Sequence, residues 1–147
     1  MFKHSFIFNP GSWIGEGKIT LNMVEEDLIF NSNWTVQNKD VAGKVSCAQD
    51  IAIRGLSDSM RNELTFYDFG GKDFCVDMEN PNIGKITGIG VFDEKTIAWE
   101  FPQGSLGCQG FEIYTLQAID CYLLHAEYYL ENEYRTFISG KIWRKEC

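Results

Sequence analysis

A chain of 147 residues with 21 Asp and Glu against 13 Lys and Arg has a formal net charge of -8, a balance that repels a phosphate backbone and excludes nucleic acid as the expected partner. The length suits one domain spanning 1–147, able to bury about two thirds of the unfolded chain's surface without a covalent staple. Eleven Phe, six Tyr and four Trp favour strands over helices, because flat and branched side chains suit a pleated surface.

The N-terminal "MFKHSFIFNPGSW" has too short an apolar stretch for a signal peptide, and His4 is expected to fray. No later run approaches the length of a membrane span. The first strand, residues 12 to 24, alternates Trp13, Ile19, Leu21 and Met23 against Glu16, Lys18, Thr20 and Asn22, the period of two that marks a half-buried strand. Its Gly15 and Gly17 share the face of Trp13, where a coiling strand needs room. After Glu25-Glu26-Asp27, a second strand sets Leu28, Phe30, Trp34 and Val36 against Asn31, Asn33, Thr35 and Gln37. A third, beyond "NKDVAGK", places Val45, Cys47, Gln49, Ile51 and Ile53 on one face.

Residues 55 to 61, "GLSDSMR", break the alternation and suggest one short helical turn. Strands 62 to 69 and 72 to 79 then meet across Gly70-Gly71, a dipeptide suited to a type I′ hairpin because both central positions need positive φ. Strands follow at 84 to 92, 95 to 101, 110 to 119, 121 to 131 and 133 to 145. Gly84, Gly88 and Gly90 of "GKITGIGVF" sit within a period-two strand with no helix behind it, so curvature accounts for them better than a phosphate loop. About ten sequential strands of this kind form an all-β, up-and-down antiparallel barrel without a helical lid, and closure is favoured because it leaves no unprotected edge.

The cysteines, Cys47, Cys75, Cys108, Cys121 and Cys147, are odd in number and contain no C-x-x-C pair. Free buried thiols in a reducing, cytoplasmic compartment are the simplest account, with no zinc site and no disulfide framework. The Asn33-Trp34-Thr35 sequon is then incidental. No H-x-H, H-E-x-x-H or G-x-S-x-G is present, so metal hydrolysis and elbow-type serine chemistry have no support.

Gly11-Ser12-Trp13 resembles the G-x-W signature of the calycins, which include lipocalins and fatty-acid-binding proteins. "GKIWRK" at 140 to 145 resembles their last strand, where a basic residue packs across that Trp. The resemblance implies a small-molecule barrel whose end is capped by Trp13 under Arg144 or Lys141. Only a three-residue turn stands where fatty-acid-binding proteins carry two helices, and a strand ends the chain where lipocalins have a helix. The chain is therefore most similar to lidless, ten-stranded nitrobindin-like barrels, whose members hold haem through one His. Only His4 and His125 are available here.

His125, Glu127 and Tyr129 share one face of the ninth strand, and Leu124, Ala126, Tyr128 and Leu130 the other. The second face is more apolar and belongs inside, which turns His125 outward and leaves no expected metal, haem or other cofactor. Trp34, Gln49, Phe66, Trp99, Tyr114 and Tyr128 are the expected ligand-binding residues, with Gln49, Tyr114 and Tyr128 as the polar contacts. The expected function is binding of a small hydrophobic or amphipathic molecule in the interior, with no assigned catalytic residue. Two alternatives stand beside it. One is a barrel enzyme of isomerase or decarboxylase type using Tyr and Glu for proton chemistry, which requires a carboxylate in the lumen. The other is a protein-interaction module working through the outer face.

Overall fold

The computed structural model describes residues 3–82, 84–102, 108–130 and 134–145. Ten strands run in chain order: β1 (Gly11–Leu21), β2 (Leu28–Val36), β3 (Val45–Ile53), β4 (Ser59–Tyr67), β5 (Asp73–Asn80), β6 (Gly84–Phe92), β7 (Thr96–Phe101), β8 (Cys108–Ala118), β9 (Cys121–Leu130) and β10 (Tyr134–Arg144). Each pairs antiparallel with its sequence neighbour, and β1 pairs with β10 to close the barrel. The expected all-β barrel is therefore what the chain forms, with no helix among the described residues. Alternation carries the inside-outside pattern, as in β2, where Phe30, Ser32, Trp34 and Val36 are buried between exposed neighbours.

Several local expectations are corrected. Strand β1 ends at Leu21, and Met23, expected to face inward, is 65% exposed in the following loop. Residues 55 to 61 make no helical turn: a turn at 54–55 is followed by β4, which already begins at Ser59 because Ala52 of β3 pairs with it. The Gly70-Gly71 connection is not a type I′ turn, since neither glycine has positive φ. The chain reverses through five residues, 68 to 72, with Asp68 in the left-handed region (φ 52°), a conformation that Asp tolerates because its side chain can satisfy the local backbone.

The glycines have individual reasons. At Gly17, opposite Gly140, a Cβ would lie 2.7 Å from the Gly140 Cα, so the β1–β10 seam closes with backbone against backbone. Gly90 instead vacates volume that the Phe74 ring fills. Close backbone approach thus accounts for Gly17 and Gly140, and packing of the Phe74 ring for Gly90.

One end of the barrel is closed by the N-terminal segment. Phe6 and Ile7 are completely buried, and Phe6 meets the rings of Trp13, Trp34, Tyr114 and Tyr122 at centroid distances of 4.9 to 5.8 Å. Ile7 has φ of 61°, an unfavourable conformation for a β-branched residue that costs about 1–3 kcal/mol. Burial of two large apolar side chains offsets it, at about 1.5–3 kcal/mol each. His4 is correspondingly not frayed: its Nδ1 lies 2.8 Å from the Tyr122 hydroxyl and its Nε2 2.6 Å from the Asp93 carbonyl oxygen.

Trp13 is buried at this end as expected, but its cover differs. Phe6 and Tyr122 lie against the indole, whereas Arg144 passes over Gly11 and donates from Nη2 to the Pro10 carbonyl at 3.0 Å. Lys141 is exposed on the outer wall, opposite Glu16. The N-terminal segment and Tyr122 occupy the position expected for the cation.

Candidate ligand-binding site

The interior divides into two halves. Toward the plugged end, Trp34, Phe66, Trp99 and Tyr114 pack into a continuous aromatic layer: Trp99 stacks on Tyr114 at 5.0 Å, Phe66 meets Trp99 edge-on at 5.1 Å, and Trp34 meets Tyr114 at 6.4 Å. Beyond this floor, toward the opposite end, lies a chamber of about 230 Å³. Its apolar surface comes from residues such as Ile19, Phe30, Ile51, Met78, Leu124 and Ile138. Of the six residues expected to contact a ligand, Gln49 and Tyr128 line this space, while Trp34, Phe66, Trp99 and Tyr114 face inward but belong to the floor.

Two polar arrays face one another across the chamber. On one wall Gln49, Asn62 and Asn80 are direct or adjacent cross-strand neighbours on β3, β4 and β5. Asn62 Nδ2 donates to Gln49 Oε1 and Asn80 Nδ2 to Asn62 Oδ1, each at 2.9 Å. Asn80 Oδ1 in turn accepts from the Asn82 backbone N–H at 2.9 Å. The three amides form a transverse ladder, in which buried polar groups satisfy one another at little cost.

On the other wall Glu112 of β8 turns into the lumen, 7% exposed. The Tyr114 hydroxyl donates to its Oε1 at 2.5 Å, and the Tyr128 hydroxyl donates to its Oε2. Burial pushes the Glu112 carboxyl above its ordinary range, with the two phenols, and the nearby Trp99 indole, pulling in the opposite direction. Trp99 Nε1 has no partner in full hydrogen-bond geometry, so its influence is that of a nearby dipole. Burial first, and then the neighbouring carboxylate, raise Tyr114 well above the usual phenol value. The Cys47 thiol, pushed up to about 12 by burial, remains protonated beside this layer.

Sequence reasoning missed Glu112, although its signal was available: it lies two residues from Tyr114, and residues two apart share a strand face. Asn62 and Asn80 carry the same signal relative to Phe66 and Met78.

His125 is on the outer wall, as alternation requires. Its Nε2 lies 2.8 Å from Glu127 Oε2, whose other oxygen accepts from the Tyr129 hydroxyl at 2.7 Å. Those bonds hold the Glu127 carboxyl below its ordinary range. Neither His4 nor His125 reaches the chamber. Cys47, Cys75 and Cys121 are free thiols, but only Cys47 is buried, the other two being intermediate because they face the outer layer. Cys147 and the Cys108 side chain lie outside the described residues.

No protein-family model matches this chain, and no curated protein sequence matches it. Among solved structures it is similar to the S-type phycobiliprotein lyase CPES from Guillardia theta, with a TM-score of 0.72 and 9% sequence identity over 97% of this chain and 92% of that one. At that identity the likeness is one of fold, and it agrees with a calycin-like barrel.

Proposed function

We propose that the barrel binds a small amphipathic molecule in the chamber between the aromatic floor and the open end. The observation that carries this reading is the partly open chamber of about 230 Å³ with apolar walls and two opposed polar arrays, the combination by which pockets hold apolar ligands in one orientation. That volume is below the about 300–1,000 Å³ of common small-molecule pockets, so the guest is small or inserts only one end. The similar barrel of a phycobiliprotein lyase supports a small-molecule role for this architecture. The nitrobindin-like resemblance implied haem on one His; the guest we propose is not haem, because neither imidazole lines the chamber.

Native mass spectrometry of protein purified from its own host tests the reading. The expected result is a non-covalent adduct lost on denaturation. A barrel that carries nothing and takes up no member of a panel of lipids, bilins and short amphiphiles refutes it.

A second reading, a barrel enzyme, is favoured by one observation: Glu112 and Tyr128 supply the lumenal carboxyl and phenol that proton transfer requires. It predicts solvent-deuterium exchange into a bound carbonyl compound that Glu112→Gln abolishes; no exchange across a substrate panel rules it out.

A further inference from the structure

We propose that Glu112 makes the chamber selective for a guest bearing a protonated amine, the carboxylate binding the ammonium group while the apolar walls enclose the chain. The inference rests on the reading of the chamber as a ligand site and adds the chemical class of its occupant.

Acceptor capacity is the first argument. A carboxylate offers about four lone-pair positions, and the Tyr114 and Tyr128 hydroxyls each occupy one, on different oxygens. Each oxygen therefore keeps a further acceptor position. The remaining lone pairs belong to a group that lines the chamber. They call for a donor.

The second argument is charge. Tyr114 on its own strand and Tyr128 on β9 are the titratable groups facing Glu112, and β7 contributes the neutral Trp99. The opposite wall contributes neutral amides, and no Lys, Arg or His lines the chamber among the described residues. A buried anion without a counter-cation is costly, and pairing is what makes it tolerable. Burial accordingly favours the protonated carboxyl. An ammonium guest supplies the missing positive charge and donates N–H groups to the vacant lone pairs.

The chain's net charge of -8 attracts cations and repels anions before contact. The consecutive Glu25, Glu26 and Asp27 lie in the β1–β2 loop, at the chamber's end of the barrel. An acceptor-rich chamber in an acidic protein disfavours a fatty carboxylate.

The test compares n-hexylamine, 1-hexanol and hexanoate, matched in chain length, by isothermal titration calorimetry on the full chain. The expected result is that the amine binds at least tenfold more tightly than the alcohol and that hexanoate does not bind. Glu112→Gln should reduce the amine-to-alcohol affinity ratio to about one. Should that variant fail to fold, the wild-type pH profile decides: the amine-to-alcohol affinity ratio rises with pH as Glu112 ionises, because the amine stays protonated throughout. Equal affinities for amine and alcohol, or a ratio flat from pH 4 to 8, overturn the amine inference and leave the chamber reading standing. Failure of all three probes to bind overturns the chamber reading itself.

Discussion

Gly110 and Tyr128 are paired directly across β8 and β9, and the Tyr128 ring lies where a side chain at position 110 would be. The missing side chain lets the ring fold over its neighbouring strand so that its hydroxyl reaches Glu112. A Cβ at Gly110 would collide with that ring and stand 2.6 Å from the Glu127 carbonyl oxygen. Gly110→Ala should therefore destabilise the barrel by about 1–3 kcal/mol, as overpacking does, and turn Tyr128 away from the carboxyl. Chemical denaturation and the Tyr128 ring resonances check both parts.

Glu112 imposes a pH dependence whose sign follows from its burial. The folded carboxyl is held above its ordinary value, so in the window between the unfolded and folded values the native state binds more protons than the unfolded state. Stability is full below the unfolded value and declines as pH rises through the folded one. In Glu112→Gln this component disappears. Melting curves collected from pH 4 to 8 should show the wild type losing stability relative to the variant as pH rises; parallel profiles would contradict the assignment.

Removal of the N-terminal plug should be costly although it touches no strand pairing. Phe6→Ala opens a cavity among four aromatic rings and is expected to cost about 3–5 kcal/mol, with Trp13→Ala in the same range. Because Phe6 packs on Trp13, the two losses should not add. A double-mutant cycle measures the coupling.

The amide ladder predicts a different signature. Asn62 both donates to Gln49 and accepts from Asn80, so Asn62→Ala leaves two partners short of a bond and should cost about 1–3 kcal/mol. The loss is smaller where water entering the chamber replaces the amide. Urea denaturation gives the magnitude, and an unchanged midpoint would show that the ladder contributes nothing to stability.

At the β1–β10 seam, Gly17→Ala brings a methyl group within 2.7 Å of the Gly140 Cα, whereas a Cβ at Gly71 meets nothing within 4 Å and its φ is not positive. The first substitution should lower the melting temperature and the second should be nearly neutral. Equal effects of the two would contradict the close approach at the seam.

Strand number, order and facing were legible in the sequence because period two directly reports which side chains avoid water. Phe30, Trp34 and Gln49 could be placed inside, and His125 outside, from their neighbours alone. Glu112, Asn62 and Asn80 were not singled out, because polar side chains ordinarily face water and Asn80 lay beyond the expected strand 72 to 79. Inside this barrel, the partners that make their burial tolerable come from other strands: Tyr128 from β9 for Glu112, and β3 to β5 for the ladder.

Alternating patterns and turn residues by themselves determined an all-β chain of about ten antiparallel strands, because the pleat couples each residue's neighbours to its face. Tertiary structure decided what fills the interior. Phe6 enters one end because residues far apart in sequence, Trp13, Tyr114 and Tyr122, converge there; the other end keeps a chamber because Gly110 yields space to Tyr128 and the amides pair along a wall. Volume and hydrogen-bond closure are sums over all ten strands. No local pattern contains them.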